Sequence, residues 1–271
     1  LAMVGPTIIA HGTSAQQDRF LPPLLRGDEV WCQLFSEPDA GSDLASLATR
    51  AVRDGDGWVV DGQKVWTSGA QVSDRGILLA RTDPDVPKHR GITYFLVDMR
   101  APGVEVRPLR QITGTAHFNE VFLTGVRIPA ADVLGEVHGG WRVAMTTLTS
   151  ERSAIGGGRA GVAMDELLTL ARAHGRTDDP VVRQRLADAH IRFELLRLLG
   201  HRVQTARSRG ERPGPESSVI KLLMSAHAAA LGDLVLDLQG PAGGLHGDWA
   251  LQFLNQWSIR IGGGTDQVQR N

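Results

Sequence analysis

The sequence predicts an α+β chain in three parts: the last helices of a helical segment, a central antiparallel β-barrel or sandwich, and a C-terminal helical bundle. Short β-rich runs divided by Gly, Pro and Asp fill the stretch from Val30 to about Pro129, a cadence expected of an antiparallel barrel or sandwich. After Gly140 the runs stop and a helical period continues to the end. A chain of 271 residues with 42% hydrophobic and 22% charged content has the composition of a globular protein able to bury a core.

Residues 1–27 hold two short helical patterns, the second starting after Ser14 as N-cap and running through Phe20, Leu21, Leu24 and Leu25 to Gly27. The β-runs of residues 28–137 are Val30–Phe35, Trp58–Val60, Lys64–Thr67, Gly76–Ala80, Ile92–Val97, Val104–Val106 and Val121–Ile128. In GWVVDGQKVWT the pair Asp61-Gly62 predicts a type I′ hairpin turn, which needs φ > 0 at both positions. Residues 138–271 form the bundle. One helix has Leu186, Ala189, Phe193, Leu196 and Val203 on a face, and the next has Leu222, Leu223, Ala226, Ala230 and Leu234. GERPGPESS between them reads as a connection ending in a cap.

A formal charge of -1 gives no net field favouring nucleic acid or an anionic membrane. The single cysteine, Cys32, lies in an apolar run and reads as a small buried hydrophobe in a reducing compartment, with the cytoplasm as the expected location. No apolar stretch stands out as a bilayer span, and LAMVGPTIIAHG lacks the basic region and cleavage site of a signal peptide. A start at Leu1 and an end directly after a dense motif at Asn271 are expected of a chain trimmed at both ends. None of the histidines shows metal-ligand spacing and no G-x-S-x-G elbow appears, so metallohydrolase and serine hydrolase readings have no support and no metal is expected.

Gly156, Gly158 and Gly161 spell G-x-G-x-x-G, with Asp178 and Asp179 following. A dinucleotide fingerprint must follow a strand within a βαβ unit, whereas these glycines follow TTLTSERSAI in a helical pattern. Close helix packing explains them better. Three other segments carry candidate chemistry. QLFSEPDAGSD, Gln33 to Asp43, ends a strand in a turn rich in Pro, Gly and Asp. Trp66-Thr67-Ser68 puts an indole and two hydroxyls at a strand end, able to stack on and hydrogen-bond a flat heterocycle, although sheet core is the default place for Trp66. In IGGGTDQVQRN, Ile261 to Asn271, consecutive glycine N–H groups form a cradle for an anion or carbonyl.

In this order the segments resemble the acyl-CoA dehydrogenase family, with its (S/T)-E-P-x-A-G-S-D, K-x-W and G-G-T-x-E-I-Q-R-N motifs matched by Ser36–Asp43, Lys64–Ala70 and Gly264–Asn271. The link FNEVFLTGVRIPAADVLGEVHGGW is similar too, so the resemblance spans nearly the whole chain. It implies a helical domain of which only the end is kept, a β-domain, and a C-terminal four-helix bundle. FAD would lie between β-domain and bundle, with a neighbouring subunit completing its site. Gln33, Phe35, Ser36, Gly41, Ser42, Trp66, Thr67 and Ser68 match positions holding the ring and pyrophosphate regions, and Thr265 and Gln267 match C-terminal contacts. Gly240 falls near the segment reaching the adenine half of a partner's flavin, and Arg176 or Arg172 matches the adenine-side arginine.

The implied reaction is α,β-dehydrogenation of an acyl-CoA to the 2,3-enoyl-CoA, with electron-transfer flavoprotein as acceptor, in a homo-oligomer such as a dimer or tetramer. Many members place a catalytic glutamate where this chain has Gly263, whose backbone N–H still serves the thioester carbonyl. Other members carry the glutamate on the first bundle helix before an Arg, which here is Glu151 with Arg152. Glu151 is thus the implied base, and Ser42, Thr149, Arg152 and Gly264 the implied substrate contacts. Without the family, a Glu-Arg pair reads as a solvated helix pair. The alternatives are a non-catalytic or half-site subunit of a hetero-oligomer, or a flavin-free binding protein of the same fold.

Overall fold

A computed structural model describes residues 1–155, 163–211, 214–245 and 247–271, with the side chains of 152–155 and 207 outside the description. The glycines Gly156, Gly158 and Gly161 lie outside the described residues, as does the side chain of Arg152. The chain divides into two compact units, Leu1–Glu151 and Arg152–Asn271.

The first unit opens with α1 (Val4–His11) and α2 (Ser14–Arg26). The cap of α2 is Thr13, one residue before the predicted Ser14: its hydroxyl accepts from Gln16 N at 3.2 Å while Gln16 Oε1 accepts from Thr13 N at 3.0 Å. This reciprocal capping box satisfies two donors that the helix start leaves open. Gly27 stops the helix in the left-handed conformation, φ 79°.

Seven strands follow: β1 (Trp31–Leu34), β2 (Arg50–Asp54), β3 (Gly57–Ser68), β4 (Arg75–Arg81), β5 (Ile92–Asp98), β6 (Val104–Leu109) and β7 (Phe118–Pro129). They form one sheet in the order β1-β4-β2-β3-β7-β6, with β5 on β4. Most pairs are antiparallel as expected, but β1 and β2 both run parallel to β4, so the sheet is mixed. One face packs Phe35, Ile77, Leu79, Tyr94 and Leu96 against Ile8, Phe20 and Val143; the other packs Leu34, Trp58, Leu78, Phe95, Val97 and Val121. Because β4 and β5 are covered on both faces, ILLA and ITYFLV read as unbroken apolar runs instead of alternating ones. Cys32 is buried in the second core, which pushes its thiol up to about 12.

The expected hairpin at Asp61-Gly62 does not form. β3 runs straight through both residues, and the turn from β2 is at Gly55-Asp56, where Gly55 has φ 59°. Gly62 instead marks a bulge against β7, and a Cβ there would collide with Thr49. The sequence holds three D-G pairs, Asp54-Gly55, Asp56-Gly57 and Asp61-Gly62, and contact with Thr49 rather than turn chemistry explains the last. Strand β2, RAVRD, escaped notice because only Ala51 of its five residues is buried.

Helix α3 (Gly140–Ile155) belongs to the first unit as far as Glu151. Buried Thr147 accepts or donates at 3.0 Å to both Tyr94 Oη and Thr7 Oγ1, tying α3 to β5 and α1.

The second unit holds α4 (Met164–Ala173), α5 (Pro180–Ser208), α6 (Glu216–Gln239), α7 (Asp248–Ile261) and α8 (Asp266–Arg270). Its core joins Leu167, Leu170, Leu186, Leu231, Leu234 and Leu238. On α5 the predicted face holds at Leu186 and Ala189, which are buried. On α6 it does not: of the five residues expected inside only Leu234 is buried, and the covered stripe is Ile220, Met224, His227, Ala228, Leu231, Leu234, Val235 and Leu238. Lys221, Ser225 and His227 are buried with it, and a pattern of apolar residues alone points the helix elsewhere. No side chain caps the start of α6, which Pro215 precedes. Length and hydropathy also make α6 resemble a membrane span, against the sequence reading; 56% of its apolar window is buried inside the protein.

His227 is packed edge-on against Phe193 at 4.4 Å, and neither ring nitrogen has a partner among the described residues. Burial, helped by Arg192 and opposed by Asp188, lowers its pKa to about 4. The unfolded chain therefore binds a proton between about 6.5 and about 4 that the folded chain refuses, so stability falls as pH falls through that window. His227→Phe is expected to flatten this slope in urea melts taken across the same pH range; an unchanged slope would refute the assignment. Lys64 is fully buried and paired with Glu37 at 2.7 Å. Lys64→Met leaves that carboxylate uncompensated and is expected to cost about 3–5 kcal/mol in chemical unfolding.

Candidate functional site

In the first unit the site is built on the strand ends of β1 and β3. Gln33 sits on β1, and its Nε2 donates to Glu151 Oε2 at 3.3 Å. Phe35 is buried edge-to-face on Tyr94 at 5.8 Å. Ser36 O accepts from Val65 N at 2.9 Å, which splices the loop to β3. Gly41 and Ser42 lie exposed on that loop, and a Cβ at Gly41 would meet nothing within 4 Å.

The loop is held from beneath by a pair that the sequence reading left unassigned. Glu37 accepts from Ala48 N at 2.6 Å, Thr49 N at 2.9 Å and Lys64 Nζ at 2.7 Å. Lys64 Nζ also donates to Phe35 O at 3.1 Å. Burial alone would raise the Glu37 pKa; Lys64 and the backbone donors outweigh it and hold the carboxyl below its ordinary value. The signal was present in both motifs as Ser-Glu-Pro and Lys-x-Trp, but nothing in the spacing says that the Glu and Lys meet.

Next to Lys64 the register of β3 against β7 shifts, and Trp66 adopts φ 61°. A bulky residue in the left-handed region is strained by about 1–3 kcal/mol. The bulge turns Trp66 out of the sheet core where it was expected by default: it is 57% exposed, edge-on to Phe118 at 5.9 Å. Thr67 points inward and is buried, and its Oγ1 has no partner among the described residues, while Ser68 is exposed. An exposed indole beside an unsatisfied buried hydroxyl suits a flat ring with polar edges, so the fit to a flavin is good.

Glu151 is half-buried near the end of α3, and Thr149 is exposed, its hydroxyl donating to Met145 O at 2.8 Å. Thr147 and Glu151 are four residues apart and share a helix face, so the hydroxyl clamp on Tyr94 fixes the side from which Glu151 projects.

In the second unit, Gly240 donates its N–H to Asp237 O, and Arg176 Nη1 donates to the same oxygen at 3.2 Å. These two residues, assigned separately, share one acceptor at the end of α6. Arg176 is also paired with Asp179 at 3.1 Å, and Arg172 is exposed in the last turn of α4. Gly263 and Gly264 have φ 68° and 94°, Thr265 caps α8 by accepting from Val268 N at 3.3 Å, and Gln267 is exposed.

Residues 32–126 match the family model described as "Acyl-CoA dehydrogenase, middle domain", and residues 138–271 that of the "Acyl-CoA dehydrogenase, C-terminal domain". Acyl-CoA dehydrogenase FadE34 of Mycobacterium tuberculosis is 48% identical over 97% of the chain, which spans 37% of that relative. Acyl-CoA dehydrogenase IpdE1 of the same organism is 44% identical over 99% of the chain and 71% of its own length. A solved structure titled "Tcur3481-Tcur3483 steroid ACAD" superposes with a TM-score of 0.91 at 34% identity, covering 99% of this chain and 73% of that one.

Trp66→Asn, which suits a left-handed φ better, is expected to leave the melting temperature of the cofactor-free protein unchanged or raised while weakening FAD binding at least about ten-fold, read by flavin fluorescence. A lowered melting temperature with full flavin affinity would contradict the role given to the bulge.

Proposed function

The chain belongs to the acyl-CoA dehydrogenase family, and from that premise we propose that it performs FAD-dependent α,β-dehydrogenation of an acyl-CoA thioester, with Glu151 as the base. The observation that carries this reading is the contact between Gln33 Nε2 and Glu151 Oε2 at 3.3 Å. It joins the candidate base to the first residue of the segment assigned to the cofactor. Gly263 cannot act as a base, so the carboxylate on α3 is the one available at a position that members of the family use.

Trp66, Thr67 and Ser68 would hold the ring system, Gly41 and Ser42 the phosphate region, and Thr265 and Gln267 the contacts from the C-terminal motif. When bound, FAD supplies the two-electron acceptor for the hydride that leaves the β-carbon. Glu151 takes the α-proton on a carboxylate oxygen, and the Gln33 amide orients that carboxylate. Gly263 N–H donates to the thioester oxygen as negative charge develops there, which lowers the cost of removing a weakly acidic proton. Ser42, Thr149, Arg152 and Gly264 would serve as the substrate contacts. Arg176 and Gly240, joined through Asp237 O, would serve the adenine half of a flavin held by a second subunit. Electron-transfer flavoprotein is the proposed acceptor, in an oligomer working in the cytoplasm.

A substrate with a bulky polycyclic acyl group is favoured by the resemblance to the structure titled a steroid ACAD. Anaerobic titration of the full-length protein with straight-chain and steroid-derived acyl-CoAs, watching flavin bleaching, tests both parts. Steroid-derived thioesters are expected to bleach the flavin at lower concentration. Glu151→Gln is expected to keep the flavin and lower bleaching by at least about 10³-fold. Bleaching by that variant at the wild-type rate would remove Glu151 from its role.

A further inference from the structure

The C-terminal motif holds two glutamines, and the one that does most for the loop is the one the sequence reading did not assign. Gln267 is exposed, whereas Gln269 is buried, 8% accessible, beneath the glycine loop. Its Nε2 donates to Gly263 O at 2.8 Å and lies 3.5 Å from Gly264 O. The amide orientation follows from this contact, because turning it over would set Oε1 against the Gly263 carbonyl, two acceptors face to face. A Cβ on Gly264 would fall 2.7 Å from Gln269 Nε2, so a glycine at 264 is what lets the carboxamide approach. Gln269 is itself fixed by α8, where its N–H donates to Thr265 O at 3.0 Å and Thr265 caps the same turn.

We propose that Gln269 is a positioning residue for the carbonyl-binding loop: its side-chain N–H anchors the Gly263 carbonyl, in the peptide that follows the Gly263 N–H, and so restricts the φ and ψ rotations of Gly263 that would swing that N–H away. The proposal rests on the reading of Gly263 as donor to the thioester. Consecutive glycines at φ 68° and 94° have wide conformational freedom, and an N–H that must meet a developing oxyanion needs its direction settled before the reaction. Gln269 provides this without touching the substrate.

Gln269→Glu tests it, since glutamate has nearly the same shape but, ionised, no donor. In the full-length FAD-bound protein, hydrogen exchange at the amides of residues 262–265 is expected to speed up about ten-fold, with exchange in α5 and α6 unchanged. With the most active thioester among octanoyl-CoA and steroid-derived acyl-CoAs, kcat is expected to drop about ten-fold or more with a smaller change in KM. If Gln269→Glu does not fold, Gln269→Met removes the donor while keeping bulk and is expected to give the same two changes. Unaltered loop exchange, or unaltered kcat in a variant whose loop exchange has risen, overturns the proposal. A wild-type protein that oxidises no acyl-CoA would sink the dehydrogenase reading alone, because the exchange measurement stands apart from turnover.

Discussion

A buried cation facing a buried carboxylate underlies the first unit's site. Neither Lys64 nor Glu37 could stand in the sheet core alone, since desolvating a single charge costs several kcal/mol. Together they are stable only because the remaining groups are used: Glu37 oxygens accept from two backbone N–H groups, and a Lys64 N–H donates to a backbone carbonyl. The same hydrogen bonds fix geometry. They bind the segment after β1, the backbone at Ala48 and Thr49, and the stem of the Trp66 bulge into one block. The strain at Trp66 persists because its neighbour Lys64 is locked in this way.

Helix α3 is tied to that block by polar contacts rather than by apolar packing alone. The hydroxyls of Thr7, Thr147 and Tyr94 form a buried row, and Gln33 reaches from β1 to Glu151 one helical turn further on. Hydrogen bonds are directional where apolar contacts are not. A helix held this way cannot rotate about its axis to carry the Glu151 carboxylate away from Gln33.

Much of the fold was legible: the order of helices, strands and bundle, six of the seven strands, and Gly27 as a helix stop. These features rest on local chemistry. What was missed depends on contacts far apart in sequence. β2 is mostly exposed and so lacks an apolar pattern. Asp61-Gly62 carries perfectly good turn residues but is held straight by β7 and by contact with Thr49. The buried face of α6 is mispredicted because it includes Lys221, Ser225 and His227. In the site, the motifs named Trp66, Thr67 and the glycine loop directly, whereas Glu37, Lys64 and Gln269 sit inside those motifs with roles visible only once the chain is folded.

The apolar character of α6 also bears on how the chain is made. A helix with a mean hydropathy of 1.6 over its most apolar window is, while still unpaired on the ribosome, chemically close to a segment that insertion machinery accepts. Lys221, His227, Asp233 and Asp237 punctuate it with groups that a bilayer interior rejects. Lys221 and His227 are buried in the finished core while Asp233 and Asp237 are exposed, and all four raise the cost of placing α6 in lipid rather than against α5 and α7.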